Sequence, residues 1–405
     1  MRILVQKFGG TSLSTPEARA QVLHHIRREL AQGYNLAVVV SAMGRRGEPY
    51  ATDTLLDWVK QNGDCLPARE QDMLLCCGEI ISATTLCSLL HAEGITATVL
   101  TGAQAGFKTD DHYGNARIVD IRPERVIASW KQHQVVIVTG FQGQSEKGDF
   151  TTLGRGGSDT SATALGVALH AEIIDIYTDV NGILTADPRL VEDAKPLNIV
   201  SYAEICNMAH HGAKVIHPRA VEIAMQGNVP VRVRSTFSDD EGTLVTNPEG
   251  FSEHNKGIFD RFVTGIAYVN NVTQITVSAQ DGADDLQLNV FKAMAHNQIS
   301  VDFINVTPSG AVYTVFDSDA DKAIHVLNEM GYEPKALSGC AKVSVIGGGM
   351  NGVPGIMAHI VEALTKKEIQ ILQSADSNTT IWVLVRKEDM VPALRALHHK
   401  FELHR

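Results

Sequence analysis

The chain has 405 residues, of which 44% are hydrophobic and 20% charged, so it is too long for one ordinary core and too apolar to be disordered. Its formal net charge of -11 lacks the basic excess that is typical of nucleic-acid-binding proteins. The first residues lack the apolar segment and cleavage site of a signal peptide, and the six cysteines form no C-x-x-C pair. We therefore expect two or three domains in a cytoplasmic protein with reduced thiols, with neither nucleic acid nor membrane as a partner.

Short apolar runs rich in β-branched residues predict strands at Ile3–Phe8, Leu36–Val40, Ile95–Leu100, Val135–Val138, Ile173–Tyr177 and Val229–Val233. Stretches of helical period lie between several of these runs, at Glu17–Gln32, Glu70–His91 and Thr160–Ala171. Alternating strands and helices predict an α/β fold with a mostly parallel sheet covered by helices. Ligands of such sheets bind beyond the carboxyl ends of the strands, so the loops that follow strands are the candidate sites.

The first candidate loop is Lys7–Ser12 (KFGGTS), which ends the first predicted strand and precedes a helix with Pro16 near its start. Two adjacent glycines let backbone N–H groups approach an anion closely, the helix N-terminus adds its positive end, and Lys7 adds a formal charge. The loop therefore predicts a phosphate site, although the Walker pattern G-x-x-x-x-G-K-[ST] does not occur in the chain. A tight turn with an edge lysine is the alternative interpretation.

Two further polar loops could complete such a site. Thr151–Asp159 (TTLGRGGSD) contains three glycines, a pair suited to an N-cap at Ser158–Asp159, and Arg155, whose planar guanidinium suits a carboxylate. An N-cap alone would leave the glycines and the arginine unexplained. The stretch Ile176–Gly182, followed by Thr185–Arg189, offers groups for a ribose, a base or a metal-bridged phosphate, or is an ordinary polar turn.

The composition changes after the last of these strands, because Ser235–Gly257 has few large apolar residues and is typical of a linker. Beyond it, a shift of 70 positions aligns Val290–Met294 with Ile360–Leu364 and Val312–Phe316 with Trp382–Arg386. One gapless offset across several segments predicts a repeated module of strand, helix, strand and strand.

Two other patterns do not support a site. Gly347-x-Gly349-x-x-Gly352 matches the dinucleotide fingerprint, but it lies inside one copy of the repeat, and too few residues follow for a second nucleotide-binding half. The histidine pairs lack regular metal-ligand spacing, so we expect core or surface histidines at His24-His25, His210-His211 and His398-His399.

The segments KFGGTS, VVVSAMG, CGEIIS, TLGRGGSD, YTDVNGILTADPR and VRVRS occur in this order, and with them the chain resembles the monofunctional aspartate kinases of the amino-acid kinase family. In that family the kinase domain is followed by two ACT modules of the ferredoxin-like βαββ type, which the 70-residue repeat resembles. The resemblance implies a catalytic domain at 1–245, a linker at 246–262, a first ACT module at 263–338 and a second at 339–405, with a first strand that both modules share.

The resemblance also implies residue roles. Lys7, Phe8, Gly9 and Gly10 would hold the ATP phosphates, and Lys7 and Asp159 would be catalytic, with Asp159 organising ATP-bound Mg²⁺ or Lys7. The other ATP contacts would be Ser158, Thr178, Asp179, Leu184, Asp187, Arg189 and Lys214. Aspartate would be positioned by Ser41, Thr52, Glu79 and Arg155, with Arg155 on its α-carboxylate and Glu79 near its ammonium.

The implied reaction moves the γ-phosphate of ATP to the β-carboxylate of L-aspartate, giving 4-phospho-L-aspartate on the route to lysine or diaminopimelate, threonine and methionine. The residue types fit this chemistry, because a β-carboxylate with a reference pKa of roughly 3.9 is already an anionic nucleophile and needs no general base. Phosphoryl transfer then requires alignment and neutralisation of negative charge, which glycine loops, a lysine and Mg²⁺ supply.

Paired ACT modules imply a homodimer that is inhibited by an end product such as lysine, threonine or diaminopimelate, with effector contacts at Asp284, Asp285, Asp302 and Asn305. Two other functions stay open at this stage. One is another amino-acid kinase, acting on glutamate, acetylglutamate or a nucleoside monophosphate, which VVVSAMG and CGEIIS together disfavour. The other is a non-catalytic amino-acid sensor, which would not need Lys7, Arg155 and Asp159.

Overall fold

The structure is a computed structural model that describes residues 1–61, 63–213, 215–247, 262–278, 285–350 and 352–405. These residues form two compact units that are not consecutive in sequence. The first unit contains residues 1–183, 196–209 and the described part of 214–258, and the second contains 184–195, 210–213 and the described part of 259–405.

A large sheet forms the centre of the first unit. Its strands are β1 (Ile3–Phe8), β2 (Asn35–Val40), β3 (Ala97–Leu100), β6 (Val135–Thr139), β9 (Ile173–Thr178), β10 (Ile199–Ser201), β11 (Val231–Ser235) and β12 (Thr243–Thr246). They are arranged in the order β10-β12-β11-β9-β1-β2-β6-β3, and among the adjacent pairs β11 and β12 are antiparallel. The central strands β1, β2 and β6 are buried along most of their length, which explains why their sequences are mostly apolar. The predicted mostly parallel α/β fold is confirmed, and each predicted strand forms.

A smaller sheet and a set of helices complete this region. The smaller sheet has the strands β4 (Phe107–Thr109), β5 (Ile118–Ile121), β7 (Gln142–Ser145) and β8 (Phe150–Thr152), in the order β5-β4-β7-β8. The helices are α1 (Gly10–Leu13), α2 (Pro16–Ala31), α3 (Thr52–Lys60), α4 (Ala68–Ala92), α5 (Glu124–Ser129), α6 (Gly157–Ala168), α7 (Tyr202–His210) and α8 (Pro218–Gly227).

Helix α4 is the one described helix that is long and apolar enough to cross a membrane by length and composition. Its side chains Ala83, Leu86 and Leu90 are fully buried in the core cluster that also contains residues of β1, β2 and β6. Nearly half of its most apolar window lies inside the protein. We therefore interpret α4 as a core helix.

The expected linker across Ser235–Gly257 starts too early, because β12 lies within it and pairs with both β10 and β11. Its valine and leucine are few but sufficient for a short strand at the end of the sheet. Residues 248–261, which include most of the linker expected at 246–262, lie outside the described residues.

The second unit contains a six-stranded sheet in which two similar halves meet. Its strands are β13 (Gly265–Ser278), β14 (Asp302–Thr307), β15 (Gly310–Phe316), β16 (Lys335–Ile346), β17 (Gln373–Asp376) and β18 (Thr380–Arg386). Their order is β14-β15-β13-β16-β18-β17. The helices are α9 (Leu286–His296), α10 (Asp317–Glu329), α11 (Ile356–Thr365) and α12 (Met390–Lys400), the last preceded by a 3₁₀ turn at Lys387–Asp389.

Each half shows the repeated order of strand, helix, strand and strand that the sequence offset predicts, and adds a closing helix, α10 or α12. Strand β13 serves both halves, since it pairs with β16 between residues 265 and 276, with irregular register near its middle, and with β15 over residues 272–278. Gly347, the first glycine of the dinucleotide-like pattern, has a packing role, because a Cβ there would overlap the backbone of Phe262.

Candidate active site

The carboxyl ends of β2, β1 and β9 lie side by side. Strand β1 pairs in parallel with both neighbours, and Phe8 is aligned with Val40 on one side and with Tyr177 on the other. The segments that follow these residues therefore emerge at one edge of the sheet, including the predicted loops Lys7–Ser12 and Ile176–Gly182.

The remaining predicted loop, Thr151–Asp159, reaches the same edge of the sheet because it runs into α6, and α6 packs on β1 and β9. In the first turn of α6, Asp159 Oδ1 lies 2.7 Å from Lys7 Nζ. Both side chains are 13% exposed, so this ion pair is partly shielded from water and salt. The two residues expected to be catalytic are thus in contact.

The glycine pair after β1 is bound closely to the turn after β2. A Cβ at Gly10 would lie 2.6 Å from the carbonyl oxygen of Ala42 and 2.8 Å from that of Gly44. The backbone N–H of Gly44 donates to the Gly10 carbonyl at 3.1 Å, and that of Ser12 donates to the Gly9 carbonyl at 3.1 Å. Only a residue without a side chain fits this approach at position 10.

Helix α6 begins at a glycine, whereas the sequence suggested an N-cap at Ser158–Asp159. The N-cap residue is Gly156, in the left-handed region at φ +67°, and no side chain caps the helix. A Cβ at Gly156 would overlap the ring of His217, and one at Gly140 would lie 2.9 Å from Ser158 Oγ. Close packing therefore fixes the start of the helix, and Ser158 and Asp159 belong to its first turn.

Arg155 lies in the turn between β8 and α6, and its side chain is exposed. It makes no hydrogen bond or ion pair with any described residue.

Strand β8, which precedes this turn, is held in place by Asp72, a buried residue of α4 that the sequence analysis did not single out. The Asp72 carboxylate accepts hydrogen bonds from the Thr152 N–H (2.8 Å), the Thr152 hydroxyl (2.7 Å) and the Gly114 N–H (2.9 Å). Burial nevertheless raises the pKa of Asp72 above its usual value.

Glu79 lies two helical turns after Asp72 and is 1% exposed. Its Oε1 accepts a hydrogen bond from the backbone N–H of Ala42 at 3.2 Å, whereas its Oε2 is buried without a partner among the described residues. Burial raises the pKa of Glu79 to about 8. Asp72 and Glu79 lie on the same buried face of α4. The signal for this in the sequence is the spacing of seven residues between two acidic side chains in an apolar helix.

The other expected contacts of the first unit show fewer specific interactions. The backbone N–H of Ser41 donates to the Phe8 carbonyl at 3.1 Å, and Thr52 is half-buried at the start of α3. Thr178 Oγ1 donates to Asp179 Oδ1 at 3.2 Å. Arg45, which was not among the expected residues, donates from Nη2 to Asp179 Oδ2 at 2.8 Å.

Three of the expected ATP contacts, Leu184, Asp187 and Arg189, belong to the second unit. There the Asp187 carboxylate pairs with the Arg189 guanidinium at 2.7 Å and accepts a hydrogen bond from the Tyr268 hydroxyl at 3.2 Å. The guanidinium is the main cause that lowers the pKa of Asp187. Lys214, the remaining expected contact, lies outside the described residues.

The expected effector contacts lie around the first half of the second unit. The Asp302 carboxylate on β14 pairs with the ammonium of Lys342, a buried residue of β16. Asn305 is exposed on the same strand, and Asp285 is the N-cap residue of α9. Asp284 lies outside the described residues.

Of the first histidine pair, His24 is exposed and His25 is buried. Burial lowers the pKa of His25 to about 4, so this ring is neutral. His24, His25 and Asp239 are close enough to share a metal ion. However, Arg28 Nη1 already lies 3.0 Å from the Asp239 oxygen that His24 contacts, and we assign no metal there.

The model of the amino acid kinase family matches residues 2–235, and an ACT domain model matches residues 335–399. The first match covers more than half of the chain, and the chain therefore belongs to the amino acid kinase family. The matched range contains each of the glycine loops described above.

Over its whole length the chain is 56% identical to Aspartokinase 1 of Bacillus subtilis (strain 168), with both chains fully covered. It is 39% identical to Aspartokinase of Geobacillus stearothermophilus, with coverage of 100% of this chain and 98% of the relative. A solved structure of E. coli aspartokinase III in complex with aspartate and ADP matches with a TM-score of 0.79 at 26% identity, over 98% of this chain and 99% of that chain. Within its family the chain groups with the aspartokinases, which confirms the resemblance of its motifs.

Proposed function

We propose that the chain transfers the γ-phosphate of ATP to the β-carboxylate of L-aspartate, giving 4-phospho-L-aspartate. The observation that carries this proposal is the Lys7–Asp159 pair, which lies at the sheet edge where the glycine loops meet. Full-length similarity to aspartokinases supports the choice of substrate. The related E. coli structure contains aspartate and ADP, a substrate and a product of this reaction.

The proposed roles follow from charge and burial. The Lys7 ammonium neutralises negative charge on the transferred phosphoryl group, and Asp159 holds that ammonium in place. The exposed guanidinium of Arg155, unpaired within the described residues, grips the α-carboxylate of aspartate, and the buried carboxyl of Glu79 accepts its ammonium. The β-carboxylate then attacks as an anion, so the reaction requires no general base.

Mg²⁺ bound to ATP is part of this proposal. The ion is usually held by substrate phosphates together with one or two carboxylates, and the Asp159 carboxylate fits that requirement at this edge. When bound, the ion would neutralise charge on the phosphates. Ser158, Thr178, Asp179, Leu184, Asp187, Arg189 and Lys214 remain proposed contacts of the nucleotide, and Ser41 and Thr52 remain proposed contacts of aspartate.

We further propose that residues 263–338 and 339–405 are two ACT modules through which an end-product amino acid inhibits a cytoplasmic homodimer. The match of an ACT model to residues 335–399 supports this assignment. Asp284 and Asp285 are proposed to meet the amino group of the effector. Inhibition that is unchanged by Asp284→Ala combined with Asp285→Ala would contradict that contact.

A coupled assay of ADP release tests the catalytic proposal. We expect turnover with aspartate and none with glutamate or acetylglutamate. Turnover with either of the latter would identify another amino-acid kinase. Absence of turnover, with an amino-acid effector still raising the melting temperature, would identify a sensor, since a ligand at 100 times its Kd adds about 2.7 kcal/mol to native stability.

A further inference from the structure

The turn after β2 carries an arginine to which the proposed function gives no role. This turn, Gly44–Glu48, is fixed beside the glycine loop by the hydrogen bond from Gly44 N–H to the Gly10 carbonyl at 3.1 Å. The backbone N–H of Arg45 donates to Glu48 Oε2 at 2.8 Å. Gly44 has φ +86°, and a Cβ there would overlap the Glu48 carboxylate. The backbone of Arg45 is therefore held in a defined position.

From this turn the Arg45 side chain extends to the loop after β9, where its Nη2 lies 2.8 Å from Asp179 Oδ2. Strand β1 lies between β2 and β9 in the sheet. A side chain that connects the loop after β2 with the loop after β9 must therefore pass the carboxyl end of β1. Gly9, Gly10 and the Lys7–Asp159 pair lie at that end.

At this edge of the sheet Lys7 and Arg45 are both paired with carboxylates, so a bound polyphosphate would lack cationic partners unless one of these pairs opens. Lys7 is matched by Asp159, and Asp179 adds a further negative charge that Arg45 balances. A guanidinium binds phosphate oxygens through two parallel hydrogen bonds, and a phosphate carries more charge than a carboxylate. The Arg45 and Asp179 side chains are 71% and 47% exposed, and ion pairs that exposed contribute little to stability. The free-energy cost of breaking the contact between Arg45 and Asp179, so that the guanidinium can bind a phosphate, is therefore small.

We propose that Arg45 is a nucleotide-binding residue whose guanidinium leaves Asp179 for the β- and γ-phosphates when ATP binds. This inference rests on the proposed function, because it requires ATP at the glycine loops. It assigns to Arg45 a contact with substrate phosphate and a role in recognising the number of phosphates.

The test compares the affinities of ATP, ADP and AMP by isothermal titration calorimetry. Arg46→Ala is a matched control, because Arg46 is the next residue, is 66% exposed, and lies 3.8 Å from Asp53 and 3.5 Å from Asp57 on α3. We expect Arg45→Ala to weaken ATP binding about tenfold or more, ADP binding less, and AMP binding not measurably. Arg45→Lys should recover part of the ATP affinity, and Arg46→Ala should stay within about twofold of the wild type.

Equal loss of affinity for all three nucleotides would overturn the proposal, since it would show that Arg45 only orders the loop. Unchanged ATP affinity in Arg45→Ala would overturn it as well. If the wild-type protein itself binds no ATP, the proposed function fails, and this outcome is distinct from a failure confined to Arg45. Thermal unfolding of the two alanine variants verifies that both are folded, and Arg45→Gln replaces Arg45→Ala if the latter is not.

Discussion

The buried carboxyl of Glu79 predicts how aspartate binding depends on pH. Its pKa of about 8 means that at pH 7 the neutral form outnumbers the anion by roughly ten to one. The ammonium of aspartate requires the anion, and forming it costs about 1.4 kcal/mol for each pH unit below the pKa. The KM for aspartate should therefore fall about ninefold from pH 6 to 7 and about fivefold from pH 7 to 8, and level off above pH 8.

Steady-state kinetics from pH 6 to 8.5 measure this dependence, with the KM for ATP as the internal control. Glu79→Gln keeps the shape of the side chain but not the charge. In this variant we expect a high KM for aspartate that does not follow the slope of the wild type. Calorimetric titration in two buffers of different ionisation enthalpy should show about one proton released per aspartate bound near pH 6.5.

Three results would refute this reasoning. The first is a KM for aspartate that does not change with pH in the wild type. The second is uptake of protons on aspartate binding, because ionisation of Glu79 can only release one. The third is an equal pH slope in Glu79→Gln, which would assign the titration to another group.

Four further predictions concern the same site. Lys7→Ala should lower kcat about 100-fold or more while the fold persists, and near-normal turnover would remove Lys7 from the mechanism. Arg155→Lys should raise the KM for aspartate much more than that for ATP, because lysine lacks the bidentate fork; equal changes would refute this role. Asp72→Asn should lower the free energy of unfolding in urea by about 2 kcal/mol, because the asparagine NH₂ group would face donors; an unchanged midpoint would contradict this. The folded-state pKa of Glu79 lies above that of the unfolded chain, so the free energy of unfolding should fall as pH rises from about 4.5 to 8, and Glu79→Gln should remove part of that fall.

The sheet and its edge could be predicted because their signals are local. Each predicted strand is a short and mostly apolar run, and a glycine pair after the first strand already indicates a phosphate loop. The start of α6 could not be predicted, since the contact of Gly156 with His217 fixes it and these residues are distant in sequence. Burial of Asp72 and Glu79 likewise depends on packing of α4 against residues far along the chain.

The role of Arg45 likewise could not be predicted from the sequence. The sequence shows an arginine in a polar turn, which is ordinary on a protein surface. Its partner Asp179 is 134 residues away and is brought near only because β2 and β9 flank β1. Sheet order, which no local pattern encodes, is therefore what gives Arg45 its position.

Residues 184–195 belong to the second unit, although the segments before and after them in the sequence belong to the first. This arrangement limits where the chain can be divided or recombined. Ala186 and Val191 belong to the hydrophobic core that also contains Val263 and Ile266. A fragment ending near residue 245 would expose both side chains to water, and a C-terminal fragment would carry a core with a gap. Exchanging regulatory halves between homologues should therefore need matched grafts at two places in the gene, since a single splice would divide one core between two parents.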